Sequence, residues 1–326
     1  CVSFYETNLL DKIMKVSVII PVYNAAAYIE KAVTSALFHV EVKEVVIVND
    51  GSTDDSLAIL QKLQQSDSRI KIYHHENNVN KGRSASRNLA LQKVTQPYIA
   101  FLDADDFYLE NRFETDGEIF GSDASIDGVY NAIGVHFYRD FSEAEHEELS
   151  LTTITEPILP KELFGYLLNG KKGYFSIDGL TIKNEVLTQI GLFQEHLVVA
   201  EDTDWLLKIA LTSKLVAGNI AQPVAMRGVH ETNIFNQTEQ YKSHRQKMYE
   251  SVIQWCFQNS IGKSKIDLLL NWLFYYRYKE NYSLSVELKY WFCLLKSNPK
   301  LLTSSLAIKY CPIIRKRKQL FPILFR

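Results

Sequence analysis

At 326 residues, 46% apolar and 23% charged, the chain has an ordinary globular composition and is long enough for one large domain or two unequal ones. Its formal charge of −2 hides an imbalance: residues 300–326 hold seven Lys or Arg and no acid, so residues 1–299 carry 29 basic against 38 acidic groups. An acidic body argues against nucleic acid as a partner. Four cysteines, Cys1, Cys256, Cys293 and Cys311, lack C-x-x-C spacing, which suggests neither a disulfide framework nor a zinc site and fits a reducing cytoplasm. No apolar run approaches the length that crosses a bilayer, and the first residues lack the plan of a signal peptide.

Met14 stands directly before the first strand, so residues 1–13 read as an upstream extension. Residues 15–22 are β-branched and apolar, as in a strand covered on both faces. Apolar positions at helical spacing predict a helix over 25–38. Residues 45–48 form a second strand, and the polar turn 49–54 opens a helix through residue 63. A third strand over 70–74 leads through a loop at 77–82 into a helix over 84–93. A fourth strand, over 98–102, follows Pro97. Such alternation implies right-handed crossovers and an α/β fold with a mostly parallel open sheet, its polar loops opening on one edge.

The middle of the chain is less regular. It predicts a strand over 128–138, an exposed loop or helical turn over 142–150, a helix over 160–168, a strand over 179–183, a helix over 184–191 and extended chain over 214–226. From residue 236 the pattern turns helical and aromatic, with amphipathic helices over 241–257, 265–278 and 284–295. The basic and apolar tail suits an anionic membrane surface or a return onto the acidic body.

Two places run apolar chain into acid. Residues 98–108, Y-I-A-F-L-D-A-D-D-F-Y, set Asp103, Asp105 and Asp106 at a strand end, where their repulsion calls for a cation, a positive patch or bulk water. Hard oxygen ligands there suit Mg²⁺ or Mn²⁺, which could hold a diphosphate; a solvated acidic turn is the plain alternative. Residues 197–205, L-V-V-A-E-D-T-D-W, place Glu201, Asp202 and Asp204 at a helix start, where acids also serve as N-terminal caps.

Taken together and in order, these blocks resemble the family 2 glycosyltransferases. The resemblance is carried by V-I-I-P-V-Y-N at 18–24, V-N-D-G-S-T-D at 48–54, N-K-G at 80–82 with A-S-R-N at 85–88, the D-x-D of Asp103-Ala104-Asp105, and Glu201-Asp202. It runs from residue 15 to about 112, thins, returns near Glu201 and His230, and leaves the last 90 residues without a counterpart. Asn49 stands where the family has a first aspartate, and no Q-x-x-R-W follows Asp202. With no spanning segment either, that argues against a processive polymer synthase.

The resemblance implies an A-type nucleotide-diphospho-sugar transferase fold over 14–235, with a donor-binding half at 14–112 and an acceptor half at 113–235, followed by a helical region at 236–326. Pro21, Tyr23 and Asn24 would wall the base, uracil by preference, and Asp50 would accept from it. Lys81 and Arg87 would contact base or phosphates, and Asp103 with Ala104 the ribose. Asp105, Asp103 and His230 would hold Mg²⁺ or Mn²⁺. Asp202 would be the general base of a single displacement with inversion, and Glu201 would orient it or bind acceptor hydroxyls. The expected enzyme moves one sugar from a UDP-sugar to a saccharide or lipid-linked acceptor for a cell-surface polysaccharide, in the cytoplasm or on the inner face of the membrane. A silent sugar- or nucleotide-binding scaffold is a rival that Asp50, Asp103, Asp105 and Asp202 count against. A sugar-phosphate nucleotidyltransferase is weaker still, because the loop after strand one lacks its Gly-rich basic run.

Overall fold

A computed structural model describes residues 14–231, 233 and 238–324, without the side chains of 238–243. The extension expected over 1–13 lies outside the described residues. The chain divides between residues 236 and 237 into two compact units.

In the first unit, β1 (Val16–Val22), α1 (Ile29–Leu37), β2 (Val42–Asn49), α2 (Ser56–Ser66), β3 (Ile70–His74), α3 (Arg83–Leu91) and β4 (Tyr98–Phe101) alternate as the sequence predicts. β1 pairs in parallel with β2 on one side and β4 on the other, and β3 extends the parallel set beyond β2. Val16, Val18, Ile19, Ile20, Val45, Val46, Ile47 and Val48 are all fully buried. Each such side chain contributes about 1.5–3 kcal/mol on burial. The chain runs outward from β1 through β2 to β3, then returns to the other side of β1 with β4. Beside that reversal lie the carboxyl ends of β1, β2 and β4, the position at which open α/β sheets bind ligands.

Helix α1 starts later than its apolar spacing predicts. Asn24 adopts φ 50°, and the next two amides are held by the loop after β2: Ala25 N donates to Ser56 Oγ (2.8 Å) and Ala26 N to Asp54 Oδ2 (2.9 Å).

Beyond β4 come β5 (Phe107–Tyr108), α4 (Glu114–Ser122), β6 (Gly128–Tyr130), β7 (Ile133–Phe137), α5 (Glu143–Leu149), α6 (Pro160–Asn169), β8 (Leu180–Lys183), α7 (Leu187–Ile190), α8 (Glu201–Thr212), β9 (Leu215–Ala217) and β10 (Ala225–Val229). The sheet order is β3-β2-β1-β4-β8-β6-β9, with β8 antiparallel to both neighbours and the other pairings parallel. The mostly parallel sheet flanked by helices is therefore as expected. The single strand expected over 128–138 is two strands in two sheets. The break falls at buried Asn131, whose Nδ2 donates to Asp116 Oδ1 (2.9 Å) and to the Gly179 carbonyl (3.0 Å). β5, β10 and β7 form a second, three-stranded sheet.

The second unit is helical: α9 (Thr238–Gln258), α10 (Lys263–Lys279) and α11 (Leu284–Ser297) are followed by three short helices, α12 (Ser305–Lys309), α13 (Pro312–Arg315) and α14 (Arg317–Leu320). Val252, Ile253, Leu269, Leu270, Leu273 and Phe274 are buried in it. Among the described residues no helix is long and apolar enough to cross a membrane.

Candidate active site

Three loops at the carboxyl ends of β1, β2 and β3 are tied to one another. Asn24 Oδ1 accepts from Thr53 N (2.8 Å), and Asp50 N donates to the Val22 carbonyl (2.8 Å). Buried Asp50 accepts from the amides of Lys81 (2.7 Å) and Gly82 (2.8 Å), so two of its lone pairs hold the loop that opens α3. Gly51 sits at φ +71°, and a Cβ there would lie 2.5 Å from the Asn78 carbonyl oxygen. Only glycine lets the two loops meet that closely. Tyr23 is 51% exposed beside this knot, Pro21 is half-buried and the Lys81 side chain is exposed.

Helix α3 supplies the cations of the site. Arg83 and Arg87, four residues apart, share one face. Arg87 is fully buried and bridges two distant acids: its Nη2 donates to Asp103 Oδ1 (2.6 Å) and its Nη1 to Glu201 Oε1 (3.0 Å). Arg83 Nη2 donates to Glu201 Oε2 (3.0 Å). Burial works against the charge on Arg87, but Asp103, Glu201 and Asp202 outweigh it and raise its pKa. Burial would push Asp103 upward, and the charges of Arg87 and Arg83 hold it below the ordinary carboxylate range instead. Glu201, fully buried, is raised by burial and by the adjacent Asp202 despite both arginines.

Glu201 and Asp202 open α8 directly after Ala200, which lies in the left-handed region at φ 62°. A non-glycine residue in that region is strained by about 1–2 kcal/mol. Asp202 is half-buried, and its Oδ1 accepts from Thr203 N (2.6 Å).

The end of β4 gathers carboxylates. Oxygens of Asp103, Asp106 and Asp178 lie within 4.8 Å of one another. Asp178 Oδ1 accepts from Asp103 N (2.9 Å) and its Oδ2 from Ser176 Oγ (2.8 Å). Burial and the charge of Asp103 push Asp178 up to about 6. Asp106 is raised well above the carboxylate range by burial and by Asp178, Asp105 and Asp103, although its Oδ1 accepts from Gly228 N (2.8 Å). Asp105 turns to another partner, with its Oδ2 2.9 Å from His230 Nε2 and 3.2 Å from Asn233 Nδ2. The His230 ring stacks on Tyr28 at 4.9 Å between centres.

The second sheet explains the meeting of Asp105 and His230. β10 pairs with β5 at Met226↔Phe107, which carries Gly228 across the D-x-D turn and delivers His230 beyond it. A Cβ on Gly228 would lie 2.1 Å from the Asp105 carbonyl oxygen.

These donors suit a divalent ion. They are hard carboxylate oxygens, with an imidazole beside Asp105, and three of the acids are close enough that their repulsion and burial raise Asp106 and Asp178. The structure thus gathers Asp103 with Asp106 and Asp178, pairs Asp105 with His230, and links Asp103 to Glu201 through Arg87, while Ala104 is buried in the turn.

The sequence of residues 17–167 fits the model of glycosyl transferase family 2. Residues 17–167 belong to glycosyl transferase family 2. The chain is 37% identical over 100 residues to an uncharacterized glycosyltransferase of Haemophilus influenzae, covering 30% of this chain and 39% of that protein. It is 42% identical over 100 residues to the putative teichuronic acid biosynthesis glycosyltransferase TuaG of Bacillus subtilis, again 30% and 39% of the two chains. The chain thus spans about two fifths of the length of these two relatives. Among solved structures it is similar to residues 1–349 of S. aureus TarS, at a TM-score of 0.61 and 17% identity over 94% of this chain and 92% of that one. That likeness shows the fold.

Within the family 2 segment, sequence reasoning missed Arg83, whose i, i+4 spacing to Arg87 was a readable signal. It also missed Asp178 and Gly228, which lie beyond that segment and carry no local signal. Asp178 sits on the turn before β8, and a buried network fixes where β8 begins: Arg112 Nη2 donates to the Leu180 carbonyl (3.1 Å) and its Nη1 to Asp116 Oδ2 (2.9 Å).

Proposed function

We propose that the chain is an inverting, metal-dependent glycosyltransferase that moves one sugar from a UDP-sugar to a saccharide or lipid-linked saccharide acceptor in cell-surface polysaccharide synthesis. The observation that carries this reading is the bridge from Asp103 through Arg87 to Glu201. It joins the acids at the end of β4 to the acid pair opening α8, so donor and acceptor chemistry share one opening. Support for the donor comes from TarS, whose solved structures include complexes with UDP and with UDP-GlcNAc. Support for the acceptor class comes from TuaG, named for teichuronic acid biosynthesis.

We assign residues 14–112 to the donor and 113–235 to the acceptor. Pro21, Tyr23 and Asn24 border the base, and Asp50, already holding the Lys81 and Gly82 amides, accepts from it with a remaining lone pair. Lys81 is free to reach toward phosphate. Asp103 and Ala104 face the ribose. Asp103, Asp105 and His230 would hold Mg²⁺ or Mn²⁺, with Asp106 and Asp178 close by. When bound, such an ion supplies positive charge where the diphosphate leaves.

Asp202 takes the proton of the acceptor hydroxyl as that oxygen attacks the anomeric carbon, and the configuration inverts. Glu201 holds the start of α8 in place through Arg83 and Arg87. Arg87 therefore acts on the site by positioning Asp103 and Glu201. The reaction takes place in the cytoplasm, on the inner face of the cell membrane, where a lipid-linked acceptor is presented.

The deciding experiment is a hydrolysis screen of UDP-, GDP- and dTDP-sugars in Mn²⁺ and in EDTA. Turnover of a UDP-sugar in Mn²⁺ alone is the expected result. Equal rates in EDTA would remove the metal from the reading, and no turnover of any donor would remove the transferase.

A further inference from the structure

The helical unit carries an open pocket of about 110 Å³ whose lining includes Phe274, Arg277, Tyr282, Glu287, Arg315 and Lys316. Its charges do not balance. Arg277 is buried and answered by Glu287 (2.9 Å) and by Gln246 Oε1 (2.9 Å). Arg315 has no such answer. Its guanidinium lies 5.2 Å and 5.3 Å from the ring centres of Phe274 and Tyr310, and among the described residues no carboxylate comes within 4.0 Å of it. Lys316, the next residue, donates to the Tyr282 carbonyl (2.9 Å) and likewise has no carboxylate partner among the described residues. Burial draws Arg315 below the ordinary arginine value even though Tyr310 and Glu287 pull the other way. Two neighbouring cations lining one pocket, Arg315 exposed and Lys316 half-buried, without a carboxylate partner among the described residues, favour an anion beside them.

The surrounding tail has a second property. Ile313 and Ile314 precede the two cations, and Leu320 and Phe321 follow them, all exposed; Ile323 and Leu324 are 82% and 76% exposed. No acid occurs in residues 300–326.

We propose that the pocket at Arg315 and Lys316 seats the phosphate of an anionic phospholipid headgroup, with the flanking Ile, Leu and Phe side chains entering the lipid surface. A planar guanidinium beside an ammonium offers a phosphate both a two-pronged and a single contact. A free phosphate would use the cations and leave the apolar side chains in water. A bilayer of anionic lipid meets both at once. The inference deepens the reading of a membrane-face acceptor and rests on it, but it is tested apart from it, since vesicle binding needs neither donor nor metal.

The test is sedimentation of the full chain with vesicles of phosphatidylcholine alone and of phosphatidylcholine mixed with phosphatidylglycerol. The chain is expected to bind the mixed vesicles and not the neutral ones. Arg315→Gln/Lys316→Gln should lower that affinity about thirtyfold, the loss of two surface cations, while donor hydrolysis stays at the parental rate. Ile323→Ser/Leu324→Ser should weaken vesicle binding and leave any thermal protection by inorganic phosphate unchanged. If the cation variant does not fold, Lys316→Glu, which gives up only a carbonyl contact, carries the same expectation. Equal binding by parent and cation variants, or equal binding to both vesicle types, overturns the proposal. Protection by inorganic phosphate without vesicle binding overturns the lipid as its source.

Discussion

Arg87→Met removes the one cation that touches both acid groups of the site. Truncating one partner of a buried ion pair costs about 3–5 kcal/mol, because the remaining charge is left in a medium of low polarity. Here the lower end applies, about 3 kcal/mol, since Glu201 keeps Arg83 at 3.0 Å and Asp103 retains some contact with water. The pH dependence follows from the two shifts. Asp103 is held below its ordinary value, so its share of stability is present above that value and is lost as pH falls through the depressed one. Glu201 already lies above its ordinary value and rises further without Arg87, so the variant recovers as pH falls and the acid becomes neutral. Between neutral pH and about pH 5 the Glu201 effect narrows the gap between parent and variant, while the Asp103 share is still in place and is lost only below its ordinary value. Urea unfolding at about pH 7.5 and about pH 5 measures it. Adding Glu201→Gln to the variant should restore about half the loss by removing the stranded charge. A deficit below about 1 kcal/mol at neutral pH, or one that widens in acid, would refute a bridge of this kind.

Asp202→Asn should bind UDP with Mn²⁺ as the parent does and lose transfer by about 10²–10⁴-fold; equal transfer removes Asp202 as the base. Asp105→Ala should bring UDP affinity in Mn²⁺ down to the value measured in EDTA, and an unchanged titration would displace it from the cation. In Gly228→Ala the added methyl meets the Asp105 carbonyl oxygen, so β10 must shift at about 1–3 kcal/mol, and metal-dependent UDP binding should fall with it. Ala200→Gly should relieve about 1–2 kcal/mol of left-handed strain against about 0.4–1 kcal/mol of added chain entropy. Its midpoint in urea should therefore move upward.

The parallel half of the sheet was legible because its signals are local. Residues 16–22 are mostly apolar and rich in Val and Ile, and the polar turn at 49–54 announces the next helix without reference to anything distant. The acids of 103–106 and 201–202 could be singled out for the same reason: each interrupts an apolar run. Partners were another matter. Nothing near Ser176-Ile177-Asp178 reveals that β8 will insert antiparallel beside β4 and bring Asp178 Oδ1 to the Asp103 amide. Gly228 reads as an ordinary glycine in an extended segment until β10 pairs with β5 and crosses the Asp105 backbone. The split of 128–138 was hidden likewise, since the groups that hold Asn131 are the Asp116 carboxylate and the Gly179 carbonyl, both distant in sequence.

Glu201 and Asp202 are neighbours in sequence with different surroundings, and that difference is the basis of the roles proposed for them. A helix turns about 100° per residue, so the first acid of α8 points into the arginines of α3 while the second is turned partly toward water. Glu201, fully buried and held by two guanidinium groups, is spent on structure. Asp202 accepts from its neighbour Thr203 and keeps lone pairs that the proposed base needs. At the other side of Arg87, Asp103 is one of four aspartates whose mutual repulsion already shows in the raised Asp106 and Asp178. The proposed donor's diphosphate would add negative charge to a place short of positive charge, which is the physical reason for expecting a divalent ion with it.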